Sequence, residues 1–216
     1  MMSETKRQPK PRPARSEEER REKMQAILAA AFEVFSAKGY AATRLDDVAR
    51  RAGVGKGTLY LYVSSKQDLF EAMIRNSFAS PFDLIEAAVQ TSNLSVEETL
   101  RLLIRWFIRE VLSTSRREMI WLIFREARQF PEIARFHHRE VVSRGLRLLR
   151  QCAERGVASG ELRTDELVRF PQLVVAPAVL SIIWMSLFQE IDPLNVEAML
   201  DAQIDLLLRA SKGNAP

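Results

Sequence analysis

The stretch from residue 43 to residue 70, TRLDDVARRAGVGKGTLYLYVSSKQDLF, constrains the fold more than any other part of the chain. Leu45, Val48 and Ala49 recur at helical spacing, and Gly53 follows where the chain needs the freedom for a sharp turn. Two pairs have the spacing of a capping box, namely Thr43 with Asp46 and Ser65 with Asp68. The stretch therefore predicts two short helices joined by a tight turn, followed by the start of a third helix.

The positions that this pattern leaves exposed carry side chains suited to phosphate oxygens and base edges rather than to covalent chemistry. They are Arg44, Lys56, Thr58, Tyr60, Tyr62 and Lys66. A helix-turn-helix places its second helix in the major groove, and the free N–H groups at a helix N-terminus attract phosphate. Spacing alone also allows an ordinary αα-hairpin with a solvated basic face, and Tyr60 then packs as an aromatic with its hydroxyl outward.

The same run resembles the DNA-binding domain of the TetR family of one-component bacterial repressors. The resemblance covers about residues 16–75, including the ungapped run AGVGKGTLYLYVSSK from Ala52 to Lys66. Two residues depart from the family pattern: Arg44 replaces a threonine, and Gly55 replaces the serine at the start of the recognition helix. The resemblance implies major-groove contacts from Lys56, Gly57, Thr58 and Tyr60, phosphate contacts from Tyr62 and Lys66, and backbone contacts from Thr43 and Arg44.

The distribution of charge agrees with a DNA-binding N-terminal part. The chain carries a formal net charge of +4, and residues 1–70 hold fourteen Lys and Arg against nine Asp and Glu. The excess of positive charge therefore lies with the predicted helix-turn-helix, as phosphate binding requires. Residues 1–15 alternate basic residues with prolines and predict a disordered basic arm. Such an arm suits the minor groove, and a solubilising tail is an equal alternative.

The rest of the chain has helical periodicity and predicts an all-α protein. Ser95 and Glu98 have capping-box spacing, Pro131 suits a first helical turn, and Pro81 is expected to begin a short helix. We predict a disordered arm over 1–15, a three-helix DNA-binding domain with the helix-turn-helix over 16–64, and a helical effector-binding and dimerisation domain over 65–216.

Residues 170–188 form an uncharged run, FPQLVVAPAVLSIIWMSLF, which raises the question of a membrane span. Pro171 and Pro177 interrupt the run, so we favour a helix buried on one side in its own chain and on the other in a second copy. TetR-like proteins dimerise through their last two long helices, and the resemblance implies the same here. The predicted dimer contacts are Leu180, Ile183, Leu187, Ile204, Leu207 and Leu208.

The middle helices are expected to bind a small effector. Aromatic and methionine side chains there suit a large, mainly apolar ligand, although such residues also simply fill cores. The predicted pocket residues are Trp106, Phe107, Met119, Trp121, Phe124, Trp184 and Phe188.

The sequence does not favour an enzyme. His137 and His138 are adjacent, Cys152 is the only cysteine, and no metal-ligand spacing, cofactor motif or nucleophile with a base is present. The single cysteine fits the cytoplasm. We expect a homodimeric repressor without metal or cofactor that binds a palindromic operator on double-stranded DNA and leaves it when a small-molecule effector binds. The alternatives are an activating or effector-independent DNA-binding protein and a membrane-tethered regulator.

Overall fold

The computed structural model describes residues 13–212, and side chains within 17–210. This part of the chain is helical without strands, as predicted. Its helices are α1 (Pro13–Ala42), α2 (Leu45–Arg51), α3 (Lys56–Tyr60), α4 (Lys66–Thr91), α5 (Val96–Phe107), α6 (Arg116–Ala127), α7 (Pro131–His137), α8 (Ser143–Ser159), α9 (Glu166–Arg169), α10 (Gln172–Leu187) and α11 (Val196–Lys212). Single π-helical turns follow α5 at Ile108–Leu112 and α7 at His138–Val142.

The chain divides into two compact units, one up to Met73 and one from Ile74 onward. The division falls within α4, rather than at the boundary after residue 64 that the sequence suggested. The predicted arm lies outside the described residues over 1–12, and α1 begins at Pro13, three residues before the expected start at Ser16.

In the first unit, three aromatic rings form the centre of the core. The ring of Phe70 lies 5.0 Å from that of Phe35 and 5.2 Å from that of Tyr40, both edge to face. Gly39 breaks the helical path of α1 with a φ of 76°, which an L side chain rarely adopts, and Tyr40 follows as a buried residue. Val48, Ala49 and Leu59 are buried as predicted, and Val54 is half-buried.

The two predicted capping boxes in this unit had different outcomes. Ser65 Oγ accepts the backbone N–H of Asp68 at 3.0 Å, which confirms the start of α4. The prediction for Thr43 was wrong, because α2 begins one residue later and Arg44 stands at its cap position without a side-chain hydrogen bond. Thr43 is 2% exposed, and its hydroxyl donates to the carbonyl of Gly39 at 2.7 Å.

In the second unit, α5 is the most strongly amphipathic helix and supplies much of the core. The predicted capping box at its start is confirmed, since Ser95 Oγ accepts from the Glu98 N–H while the Glu98 carboxylate accepts from the Ser95 N–H. Its apolar face packs into one cluster with side chains of α8 and α11, including Leu149, Ile204 and Leu208. Burial of that apolar surface is the main source of stability in this unit.

Two prolines stand inside helices without breaking them. Pro81 was expected to begin a helix, but it lies within α4, where it leaves the carbonyl of Ser77 without its usual donor. Arg116 Nε donates to that carbonyl at 2.7 Å. Pro177 likewise removes the donor for Leu173, whose carbonyl accepts from the Gln203 amide. A long side chain from another helix thus replaces each missing backbone hydrogen bond.

The last two helices present different faces from those predicted. Leu180 and Leu187 of α10 are exposed and Ile183 and Leu207 are half-buried, so these residues are available to a partner. Ile204 and Leu208 were assigned to the dimer surface, but they are at most 4% exposed in the core against α5. Both residues therefore lie on the face of α11 that packs against α5. Leu206 lies on another face of the same helix and is 65% exposed. Within residues 13–212, no helix is long and apolar enough to cross a membrane.

The side-chain replacement at Pro177 is testable by a double-mutant cycle. Gln203→Met removes the donor to the Leu173 carbonyl and should lower the free energy of unfolding by about 1 kcal/mol. In a Pro177→Ala background residue 177 regains its N–H, so the same substitution should cost almost nothing. Urea unfolding of the four chains measures both costs, and equal costs in the two backgrounds would contradict the assignment.

Candidate nucleic-acid interface and effector cavity

The surface of α3 carries the predicted major-groove residues. Lys56 and Gly57 are exposed, Thr58 is half-buried and the Tyr60 side chain is 48% exposed. Gly55 precedes them in extended conformation and provides no side-chain cap, so the first N–H groups of α3 are left for another acceptor. The sequence interpretation missed Leu61, which is 75% exposed directly after this helix. These five residues, on either side of the buried Leu59, suit close approach by a nucleic acid.

The cation at the start of α3 is already paired. Lys56 Nζ lies 2.9 Å from the Asp46 carboxylate of α2, and both side chains are more than half exposed. The hydrogen bond that Lys56 donates to the Asp46 carboxylate raises the pKa of Lys56, so the ammonium is firmly protonated. Arg44 is exposed beside α2 and completes a basic rim. A phosphate or base edge that binds Lys56 must therefore share it with a carboxylate.

Lys66 has an internal role that the sequence interpretation missed. Its Nζ donates to the carbonyls of Tyr40 at 2.8 Å and Ala41 at 3.0 Å, and it lies 4.7 Å from the centroid of the Tyr40 ring. These contacts fasten the start of α4 to the end of α1. Only one of the three ammonium hydrogens is left for the predicted phosphate contact.

Tyr62 stands next to further positive charge. Its half-buried ring lies 5.8 Å from the Arg20 guanidinium of α1, and both residues border a shallow recess with Arg21. This arrangement suits a phosphate contact from Tyr62. Thr43, by contrast, is buried, so its side chain has no exposed surface with which to make the predicted contact to the DNA backbone.

The second unit contains an apolar cavity of about 430 Å³. That volume lies in the range of small-molecule sites. Residues from α4, α5, α6, α8 and α10 line it, and Val111, Val141 and Val142 come from the two π-helical turns. Such turns are frequent at functional sites, since they shift side chains out of the regular helical register.

Three of the predicted pocket residues line this cavity and four do not. Trp106, Phe107 and Phe124 belong to its wall. Met119 is buried elsewhere in the core, and Trp121 is half-buried outside the lining. Trp184 donates from its indole to the carbonyl of Asp192 at 2.7 Å and packs on the ring of Phe188 at 5.2 Å. The rings of Trp184 and Phe188 therefore pack on each other and do not line the cavity.

The sequence interpretation also missed His137, which contributes to the cavity wall and is 8% exposed. Its Nδ1 has no hydrogen-bond partner, and its ring lies 6.3 Å from that of Phe78. Burial lowers the pKa of His137 to about 4, with a smaller effect of the same sign from His138. The signal for this position was its spacing from Ile133, one turn earlier on the buried face of α7.

No group of side chains within the described ranges could hold a metal ion. Cys152 is buried, and this burial raises the pKa of its thiol. The thiol therefore belongs to the packing of α8, as the sequence suggested.

The buried imidazole makes a testable contribution to the pH dependence of stability. Below pH 6.5 the unfolded chain takes up a proton that the folded chain refuses until about pH 4, so this stability is present above 6.5 and lost toward 4. The loss should amount to at most about 3 kcal/mol. The His137→Leu variant should not lose this stability on acidification, whereas a variant of the exposed neighbour, His138→Gln, should still lose it. Chemical unfolding across this range measures the difference, and parallel curves for His137→Leu and the unchanged chain would refute the assignment.

Comparison with known proteins places both units in one family. Residues 27–73 match the family described as bacterial regulatory proteins, tetR family, and residues 98–210 match the C-terminal domain of AefR-like transcriptional repressors. The fatty acid metabolism regulator protein of Bacillus subtilis is 24% identical over 157 residues, which are 73% of this chain and 79% of that protein. The transcriptional activator FasR of Mycolicibacterium smegmatis is 37% identical over 73 residues, which are 34% of this chain.

The chain spans only a third of the length of FasR and of one further curated relative, at 33% each. Among solved structures, the regulator FadR of Bacillus subtilis in complex with stearoyl-CoA is similar with a TM-score of 0.67 and 21% identity. That comparison covers 85% of this chain and 97% of the other, and it shows the shared fold. Together with the two matched domains, it shows that the chain belongs to the TetR family of bacterial transcriptional regulators.

Proposed function

We propose that the chain is a homodimeric repressor in the cytoplasm that binds a palindromic operator and releases it when a small, largely apolar molecule occupies the cavity. The observation that carries the effector half of this proposal is the cavity of about 430 Å³ with its apolar wall. A closed core would instead have favoured a DNA-binding protein that needs no effector.

The DNA-binding half rests on the exposed surface of α3. Lys56, Gly57 and Tyr60 are accessible together, and Thr58 is half-buried between them. Such a helix reads base edges from the major groove, while Arg44 and Tyr62 suit the flanking phosphates. Two copies of the chain would place two such helices on successive grooves, which is how a symmetric dimer reads a palindrome.

The proposed dimer is supported by the outer face of α10. Leu173, Leu180 and Leu187 are each more than 40% exposed, and Ile183 is half-buried near them. Leu206 of α11 is exposed as well. Contiguous exposed apolar side chains of this size indicate a partner surface. A monomer in sedimentation velocity at micromolar concentration would contradict this part of the proposal.

The effector half gains support from the comparison with FadR. That protein binds stearoyl-CoA, a ligand with a long apolar chain, and shares its fold with this chain. In this chain Trp106, Phe107 and Phe124 offer aromatic surface to a ligand of similar polarity. We do not extend the coenzyme A group to this chain, since the cavity wall lacks cations.

The proposed coupling needs an element that both activities share. α4 contributes Lys66 to the first unit and Phe78, Phe82 and Ile85 to the cavity wall of the second. α5 and α6 line the same cavity, and a ligand that prefers one arrangement of these helices shifts the population toward it. Release follows when that arrangement no longer matches the spacing of the two DNA grooves.

An activator is the second candidate, because the similar protein FasR is an activator. The DNA-binding surface is equally compatible with both signs of regulation. Reporter expression from the bound promoter, with and without the chain, decides between them.

The DNA-binding assignment is tested by fluorescence anisotropy with duplexes tiled across the region upstream of the chain's own gene. Arg44→Ala should weaken binding and reduce the slope of log affinity against log salt by about one per DNA-binding unit, because one phosphate contact is lost. Arg109→Ala is the matched control, since it removes an exposed arginine from the second unit. Equal effects of the two substitutions would overturn the assignment.

The same assay tests release. The neutral apolar dye N-phenyl-1-naphthylamine should weaken DNA binding about 5- to 150-fold, the usual range of coupling between two sites. Gly145→Leu is the control, because a side chain there meets the Phe82 ring at ordinary contact distance and takes up space within the cavity that the dye needs. That variant should bind DNA without responding to the dye. A full response in Gly145→Leu would place the dye elsewhere and contradict the cavity as effector site.

A further inference from the structure

The cavity wall is chemically uneven. Of the described residues, those that line it have aliphatic or aromatic side chains, apart from Gly145, and nitrogen occurs in His137 and Trp106. The Trp106 indole is a hydrogen-bond donor alone, whereas a neutral imidazole has one donor and one acceptor. His137 is therefore the one side chain in this described lining that offers an acceptor.

His137 also lacks any hydrogen bond within the described part of the chain that would satisfy its Nδ1. A buried polar group without a partner costs stability, because it has lost its hydrogen bonds to water. Such groups are uncommon in folded proteins and call for an explanation, such as a role in binding. Because no hydrogen bond within this part of the chain engages Nδ1, a ligand group that bonds to it has no internal hydrogen bond to displace.

The electrostatics of the wall restrict what can bind. Among the described residues, no Lys or Arg side chain lines the cavity, and burial keeps the His137 imidazole neutral at physiological pH. Arg75 and Arg139 lie over the ring of Phe136, outside the lining. Arg144 lies over the ring of Phe82, also outside the lining, and is paired there with Asp83 and Glu86. A carboxylate placed in the cavity would therefore lose its hydration without gaining an unpaired counter-charge, which is unfavourable.

We propose that His137 selects the effector, and that the effector is an uncharged, mainly apolar molecule with a hydroxyl or carbonyl group that hydrogen-bonds to this imidazole. A hydroxyl fits either ring nitrogen, because it both donates and accepts. The Phe78 ring beside the imidazole and the Phe82 ring beside Trp106 belong to residues four positions apart on α4, about 6 Å along its axis. The apolar body of the effector therefore extends from His137 along α4.

This inference rests on the proposed effector cavity, and its test uses three probes of one length. The experiment measures how well 1-decanol, 1-chlorodecane and decanoate each compete with N-phenyl-1-naphthylamine for the full-length chain at pH 7.5. The alcohol should displace the dye at about 5- to 10-fold lower concentration than the chloride, because it gains one hydrogen bond. Decanoate should be the weakest probe by at least about 100-fold, because it enters charged.

His137→Phe and His137→Leu should remove the preference for the alcohol over the chloride while leaving the affinity for the chloride within about twofold. Both variants keep a buried apolar side chain and lose no internal hydrogen bond from Nδ1, so both should fold. Val142→Ala is the matched control, since it changes the cavity wall without changing its polarity. It should alter the affinity for all three probes in parallel and keep their ratios.

The possible outcomes separate the two levels of the proposal. If the dye binds but the alcohol and the chloride compete equally, or if decanoate binds most tightly, the role of His137 is refuted while the cavity stands. If the preference survives in both His137 variants, another group reads the hydroxyl and the inference fails. If the dye does not bind, or binds unchanged in Gly145→Leu, the proposed effector cavity fails and the inference fails with it.

Discussion

The second unit depends on the apolar face of α5. The capping box of Ser95 and Glu98 fixes where this helix begins, and its apolar side chains then meet α8 and α11 in one core. The same helix also contributes Leu103, Trp106 and Phe107 to the cavity. Its inner face is therefore divided between a packed part that stabilises the unit and a part that faces empty space. A binding site made in this way forgoes some van der Waals contact in the free chain.

Local sequence signals predicted the helices well where one side chain decides the backbone. The capping residues Ser65 and Ser95 and the first-turn Pro131 all stand as predicted. Each of these residues acts on neighbours within one helical turn, so the local sequence is enough to predict where the helix begins. The exposed surface of α3 could be predicted for a related reason, because the run from Ala52 to Lys66 that contains it is short and has no gaps.

The failures of prediction concern contacts between distant parts of the chain. Pro81 is kept inside α4 by Arg116, a partner that lies far away in the sequence. Ile204 and Leu208 have the same helical spacing whether they pack against α5 or against a second copy of the chain. Only the way in which α11 packs decides which of the two surfaces they contact. Trp184 and Phe188 are large and aromatic like Trp106, yet they pack on each other outside the cavity. Residue type predicts burial, but it does not predict which space a side chain borders.

The attachment of α4 to α1 through Lys66 has a consequence for how the chain tolerates change. Both acceptors are main-chain carbonyls, those of Tyr40 and Ala41, so every amino acid at either position supplies the same oxygen atoms. These two hydrogen bonds therefore depend on the identity of one side chain, and only the contact of Lys66 with the Tyr40 ring requires a matched pair. Substitutions at the end of α1 leave both hydrogen-bond acceptors in place, whereas a change at position 66 has no compensating substitution among its partners.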